Sequence, residues 1–396
     1  MAATSATFDP AAATGAYLAT LPPAVHARAA AYTHGGEWIL LWSALVAVAA
    51  GWLVLRSGVL VRLRERLSGT PVWAMALAVI GVDVALETVL ALPWNAYTGW
   101  WRETAYGLTT RPFGGWLVEW VQSSLIGVVG TVLLLAAVYA LIRRAPRTWW
   151  LWSTGLAAVF VAFIFVLAPV VIQPIFNTYT PAPPGPVRDA VVALAKANGV
   201  PSDKIVVFNG SKQSTRYTAN VSGLGGTARI AMSDTMFAKG ADLHEIRGVV
   251  GHEMGHYVLR HIFWSAGLYS LMALVAFFLV DRSFPLVLRL TGARGVTGLA
   301  DPAGAPVVGI IVTVLTLVLT PVANTISRTL EAEADRFSFE RANEPDGLSR
   351  ALIKTVEYRA ATPSRLEEAI FYSHPAVGAR IRRAMEWKAT HPTGAP

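Results

Sequence analysis

Six stretches of this chain are almost unbrokenly apolar, each near the roughly 20 residues a helix needs to cross a bilayer. They run Trp38–Leu60, Val72–Leu92 (ended by Pro93), Val118–Ile142, Trp149–Ile172 (followed by Pro174), Ile262–Val280 and Val307–Ala323. Trp38, Trp94, Trp100, Trp101, Trp149, Trp150 and Trp152 gather at their ends, as indole rings do at headgroup level. Between the fourth and fifth runs, Asn177–Arg260 mixes polar and apolar positions as a water-facing domain does. There, "PAPPGP" (Pro181–Pro186) reads as a linker and Val187–Asn198 has helical periodicity. "KIVVFNG" (Lys204–Gly210) reads as a short strand closed by Asn-Gly. Arg216–Ser233 reads as two strands around a Gly-rich turn, with Arg229–Met232 as the second. A helix then starts at Asp242, a suitable N-cap, with Glu245 placed for a capping box. After the sixth run, Ser327–Phe339 continues as a polar helix. The tail from about Glu340 is helical and basic and ends in "THPTGAP", which reads as disordered.

The pattern therefore predicts a mostly α, multi-span helical membrane protein of about six transmembrane helices with a small α+β domain. Its expected segments are an N-terminal arm (1–36), a four-span bundle (37–175), the α+β domain (176–261), a transmembrane hairpin (262–325) and a C-terminal helical segment (326–396). The arm is Ala/Thr/Pro-rich, with short helical pieces expected and no basic region leading an apolar core, as a cleavable signal would have.

Composition sharpens this. Hydrophobic residues make up 54% and charged residues 15%, against about 25% charged in ordinary soluble chains. The chain has no cysteine, which excludes disulfides, iron–sulfur clusters and thiol nucleophiles and restricts any zinc site to His and carboxylate ligands. The net charge of +8 comes largely from arginines flanking the apolar runs, where they anchor helix ends at headgroups. A lipid bilayer, not nucleic acid, is the partner this implies. The excess of arginine over lysine, with abundant alanine, points to a GC-rich bacterial genome and so to a bacterial cell membrane.

Two features carry chemistry. Asp83 and Glu87 lie four apart on one face of the second run. Carboxylates inside a span face a helix contact or a polar cavity, and a cavity would suit a transporter or channel. The second feature is "VVGHEMGHYVL" (Val249–Leu259). On a helix, His252 and His256 project from one face, one turn apart, so one metal ion can take both rings. Glu253 lies about 100° round the helix and can act on a water without being a ligand. This is the HExxH arrangement of zinc metallopeptidases. Gly251 and Gly255 leave room for a substrate or sheet to approach. A catalytic zinc wants three protein ligands and an open position. "SRTLEAEADRFSFE" offers Glu331, Glu333, Asp335 and Glu340. Glu331 and Asp335 share a face, so one could bind metal while the other fixes a histidine tautomer. The residues alone leave those two roles interchangeable.

"VVGHEMGH" with "SRTLEAEAD" resembles the membrane zinc metallopeptidases that include the type I CAAX prenyl endopeptidases and the HtpX quality-control proteases. The "LPWNAYTGWWRETAYGL", "IQPIFNTY", "YTANVSGLGGTARIAMSDTM" and "HPAVGARI" stretches, from Leu92 onward, are similar to the CAAX branch. The resemblance implies one zinc per chain, held by His252, His256 and Glu331 in a zincin-like domain, with Asp335 behind a ligand and Glu253 as general base. It implies Asn220 beside the substrate cleft, and Arg229, Ile230, Ala231 and Met232 as the edge strand pairing with an extended peptide or protein substrate. It also implies His374 as an oxyanion stabiliser, with Arg380 supporting the site. The function expected is a membrane-embedded zinc metalloendopeptidase acting on membrane-associated, lipidated or misfolded proteins. The alternative is a non-catalytic membrane scaffold that retains the fold, although such a protein needs no base at Glu253. Eukaryotic CAAX proteases have a further span, and bacteria generally lack prenylated CAAX proteins. Arginines after the first, third and fifth runs place those loops in the cytoplasm by the positive-inside rule. The resemblance instead puts catalysis on that side. Neither the side of the active site nor the oligomeric state is fixed by these residues.

Overall fold

The computed structural model describes residues 8–166, 168–223, 227–237 and 242–391. Two expectations therefore fall partly outside it: the Gly-rich turn at Leu224–Gly226 and the disordered tail beyond His391. The helices used below are α1 Pro10–Ala19, α2 Pro23–Ser57, α3 Val72–Ala96, α4 Phe113–Arg144, α5 Trp149–Val166, α6 Pro186–Ala197, α7 Leu243–Val258, α8 His261–Thr291, α9 Ala305–Phe337, α10 Pro345–Lys354, α11 Arg365–Phe371 and α12 Val377–Thr390. The strands are β1 Tyr179–Pro181, β2 Ile205–Phe208, β3 Ala219–Ser222 and β4 Arg229–Ser233. The chain divides into two compact units.

The membrane unit comprises Trp38–Phe163 and Ala266–Leu319. Among the described residues, six helices are long and apolar enough to cross a membrane. Leu125, Val129 and Leu133 on α4 and Val314 and Val318 on α9 are exposed, as positions facing acyl chains should be. The core of this unit gathers Leu55, Ile80, Val138, Tyr139, Trp149, Phe284 and Ile311. The Trp149 Nε1 donates to Asp281 Oδ1 at 2.7 Å. Proline proves a weaker stop than expected. Pro93 lies inside α3, which continues to Ala96 and then widens into a π-helical turn, Tyr97–Trp101. The missing N–H frees a carbonyl one turn back, and such turns absorb the break. Pro285 likewise lies inside α8, which runs past Val280 to Thr291. Asp83 is buried. Glu87 rests against α2, where a Cβ on Gly51 would stand 2.9 Å from its Oε1. Glu87 therefore sits at a helix contact.

The second unit comprises Met1–Glu37, Ile164–Ser265 and Thr320–Pro396. Its N-terminal part is more regular than short helical pieces. α1 is capped by Asp9, whose side chain accepts from Ala11 N, with Pro10 at the first position. α2 then runs unbroken from Pro23 through the alanine-rich stretch, because alanine has the highest helix propensity. Tyr17 Oη donates to Asp346 at 2.7 Å and ties α1 down.

The sheet has the order β1-β2-β4-β3. β4 pairs in parallel with β2 and antiparallel with β3, so both of its edges are taken. Arg229–Met232 is therefore not the edge strand that the resemblance implied. Ile230, Ala231 and Met232 are fully buried, as suits a central strand. The open edges belong to β1 and to β3, which carries Asn220. Pro181, expected in a linker, closes β1; an edge strand tolerates a residue with no N–H to give.

α7 packs against the sheet, α10 and the turn that ends α9. Three of its glycines make this possible. A Cβ on Gly248 would stand 2.6 Å from Leu348 N, and one on Gly251 would stand 2.8 Å from Ala342 Cβ. A Cβ on Gly255 would stand 3.0 Å from Phe337 Cβ, so Gly251 and Gly255 admit the end of α9, not a substrate or sheet, and Gly248 admits α10. Asp242 caps α7 through His244 N. Glu245 does not complete a capping box; it pairs with Lys354 on α10. Gly248→Ala is expected to destabilise the protein by about 1–3 kcal/mol, the usual range for an overpacked site. Thermal unfolding in detergent measures this, and an unchanged midpoint would show that α10 can move aside.

Candidate metal centre

Two helices supply the centre. α7 presents His252 and His256 one turn apart, and α9 presents Glu331 and Asp335 at the same spacing. His252 Nε2 lies 3.2 Å from Glu331 Oε2, His256 Nε2 lies 3.4 Å from Glu331 Oε1, and the two Nε2 atoms are 3.3 Å apart. Their donor atoms fall within 4.8 Å of one another.

The surrounding hydrogen bonds decide what these atoms offer. Asp335 is buried and held by Arg380, whose Nε and Nη2 donate to its two oxygens at 2.8 and 2.6 Å. A carboxylate held this way only accepts. His252 Nδ1, 3.0 Å from Asp335 Oδ1, must then carry a hydrogen, so the neutral ring has its lone pair on Nε2. A second chain reaches His256. His261 Nε2 lies 3.1 Å from Glu333 Oε2, and His261 Nδ1 lies 2.9 Å from His256 Nδ1. If His261 donates to Glu333, it accepts from His256, whose Nε2 is then also a lone pair. Glu331 Oε2 is shielded from solvent, 3.2 Å from His252 Nε2 and 3.9 Å from Arg380 Nη2. Two imidazole nitrogens and a carboxylate thus converge, and this donor set fits a divalent metal.

With no metal bound, burial disfavours a charged His252 ring. Asp335 and Glu331 outweigh that and hold its pKa up to about 10. That direction favours the protonated ring, so a proton competes with a metal for Nε2. Metal binding below pH 10 must release it, so metal affinity is expected to rise about tenfold per pH unit for that proton. Titration calorimetry in buffers of different ionisation enthalpy counts the release. About one proton or more is expected, and none at pH 7 would contradict the protonated ring.

Glu253 follows His252 on α7. Burial chiefly raises its carboxyl pKa, and the Glu331 charge adds to this. That direction suits a group that must take up a proton. His374 lies in the loop before α12, with Nε2 3.5 Å from Glu331 Oε1. Burial pushes its ring down to about 4, helped by the charges of Arg359 and Arg380 and opposed by Glu331. It is neutral at pH 7 and keeps one N–H to donate.

The loop carrying His374 is fastened to α9. Arg328 Nη1 donates to the carbonyls of Glu368 and Tyr372 at 2.8 and 2.6 Å, and Asn324 Nδ2 donates to Ile370 O at 2.7 Å. Arg380 holds Asp335, and its Nη2 also stands 3.5 Å from His252 Nδ1 and 3.9 Å from Glu331 Oε2. Sequence reasoning did not assign Asn324, Arg328 or His261 a role. The available signals were an arginine inside "SRTLEAEAD" and a histidine five residues beyond the motif.

Of the expected substrate contacts, Asn220 lies on the free edge of the sheet, on a strand packed beside α7. Among the described residues, Asn220 Oδ1 and Ser222 Oγ have no hydrogen-bond partner. Arg229 is engaged elsewhere. Its Nη2 donates to Gln173 Oε1 at 3.0 Å, and its guanidinium lies 4.2 Å over the Tyr179 ring. With Ile230, Ala231 and Met232 buried, these four residues build the sheet.

Both parts of the chain are similar to known proteins. Residues 181–388 match the model described as Peptidase family M48. Residues 12–178 match that described as CAAX prenyl protease N-terminal, five membrane helices. The chain is 30% identical over 306 residues to the uncharacterized metalloprotease YhfN of Bacillus subtilis, covering 76% of this chain and 70% of that one. It is 27% identical over 329 residues to CAAX prenyl protease 1 of Saccharomyces cerevisiae, covering 78% and 71%. The crystal structure of S. mikatae Ste24p shares the fold, with a TM-score of 0.77 at 22% identity over 92% of this chain and 90% of that one.

Proposed function

Since the chain belongs to peptidase family M48 and is a multi-pass membrane metalloprotease, we propose that its metal is zinc, held by His252, His256 and Glu331. The observation carrying this reading is the convergence of two imidazole nitrogens and one carboxylate, all within 4.8 Å. A set of two nitrogens and one oxygen with no thiolate suits zinc in a peptidase. When bound, the ion would supply Lewis acidity toward the scissile carbonyl and toward water.

The protein's own groups do the rest. Glu253 removes a proton from the attacking water and later delivers it to the leaving amine. His374, neutral and 3.5 Å from Glu331, donates its N–H to the developing oxyanion. Asp335 and Arg380 keep His252 in its binding tautomer.

The substrate is a peptide or protein. In this reading it lies extended along β3, where backbone hydrogen bonds hold it whatever its side chains. Support comes from the open edge at Asn220 and the unpartnered Asn220 Oδ1 and Ser222 Oγ. Membrane-associated polypeptides, including lipidated or misfolded ones, are the substrates proposed, because the enzyme is itself held in the bilayer and its relatives include proteins named CAAX prenyl proteases.

Chelation tests the metal. Treating the detergent-purified protein with 1,10-phenanthroline is expected to reduce cleavage of a quenched fluorescent peptide to background. One equivalent of zinc should restore it. Restoration by manganese but not by zinc would overturn the zinc assignment, and cleavage untouched by chelation would overturn the site.

A further inference from the structure

The charge of the membrane unit is concentrated at one end. Residues 56–71, 143–148 and 281–301 carry ten arginines against three carboxylates, Glu65, Asp281 and Asp301. These segments meet. Arg64 pairs with Asp301, and Arg56 Nη1 donates to Gly292 O at 3.1 Å. Arg143 and Pro146 share a cavity wall with Leu299 and Ala300.

That cavity, between the ends of α4 and α8, has a volume of about 690 Å³. Its apolar wall is formed by Ile142, Phe284 and Leu288. Its cation is Arg143, whose Nη1 is shielded from solvent and has no hydrogen-bond partner among the described residues. Asp281 also lines it, but Oδ1 is taken by Trp149 Nε1 at 2.7 Å and Oδ2 stands 3.7 Å from Arg282 Nε. The neighbouring Asp301 is taken by Arg64 and by the Thr297 and Ala303 N–H groups, at 2.9 and 3.0 Å. The nearby carboxylates are thus engaged, while one guanidinium keeps spare donors beside an apolar hollow.

A cavity at the ends of membrane helices opens where lipid headgroups lie. A guanidinium matches the oxygens of a phosphate, and an excess of arginine draws anionic lipid toward it. We propose that this cavity binds the phosphate of an anionic phospholipid, anchored by Arg143, with the glycerol and upper acyl carbons on the apolar wall.

The test uses the full chain. Native mass spectrometry from nanodiscs of phosphatidylglycerol or phosphatidylcholine is expected to retain the first lipid on the protein and not the second. Arg143→Gln should weaken retention about tenfold, as for one lost charge-assisted hydrogen bond. Arg147→Gln, at an exposed position on the same surface, should change it by less than about twofold. If Arg143→Gln does not fold, Arg143→Lys serves; keeping the charge without the planar fork, it should weaken retention by about threefold. Equal retention of the two lipids, or undiminished phosphatidylglycerol on the Arg143 variants, would overturn the proposal. So would equal thermal stabilisation of the detergent-solubilised protein by inorganic phosphate alone, since the ligand would then be a soluble anion.

Discussion

Replacing Glu253 by Gln is expected to lower peptide hydrolysis by about 10²–10⁴-fold, the contribution of a positioned general base, while metal content stays at one per chain. The two shapes are nearly identical, so α7 and its packing against α9 and α10 survive. What is lost is a group that accepts a proton. The upward shift that burial gives this carboxyl brings its basicity closer to the working pH. The variant should also keep its affinity for an uncleaved peptide, which separates lost chemistry from lost binding. Single-turnover cleavage with metal analysis of the same sample makes the measurement. Near wild-type turnover in a metal-loaded variant would sink the proposed mechanism.

The second large effect is expected at Glu331. Glu331→Ala leaves His252 and His256 as a two-ligand set and should weaken metal binding by more than the roughly 100-fold that loss of an outer partner brings. Metal per chain should fall from about one to near zero after dialysis, and hydrolysis with it. Glu333→Ala is the informative control. It lies on the same helix and ends the His261 chain, so it should weaken metal affinity only within that outer-partner range and keep the ion through purification. If Glu333→Ala lost metal and Glu331→Ala kept it, the carboxylate ligand would be misassigned.

Much of this was readable along the chain because the signals are local. The helical class and the six apolar helices follow from run length. The one-face placement of His252 and His256 follows from a spacing of four. What stayed hidden depends on partners distant in sequence. Alternation cannot say which strand lies at an edge, and β4 was misplaced for that reason. The unbroken apolar run Ile230–Met232, buried on both faces, was the available hint. Gly251 and Gly255 suggest room for a substrate because nothing local announces that the end of α9 needs that space. Arg229 looked like a binding residue, yet its partners, Gln173 and Tyr179, lie in segments that only the folded chain brings together.

The three pieces of the second unit have a consequence for biosynthesis. Its core joins α1, near the start of the chain, to α12, near the end. His252 and His256 are made before α8 and α9 enter the membrane, but Glu331 follows that hairpin, and Arg380, which fixes Asp335, comes later still. During synthesis the growing chain therefore carries its histidines before Glu331, Asp335 and Arg380 join them. Contacts so distant in sequence close slowly. If Glu331 is the third ligand, a ribosome that stalls within the hairpin is expected to leave an inactive membrane stub.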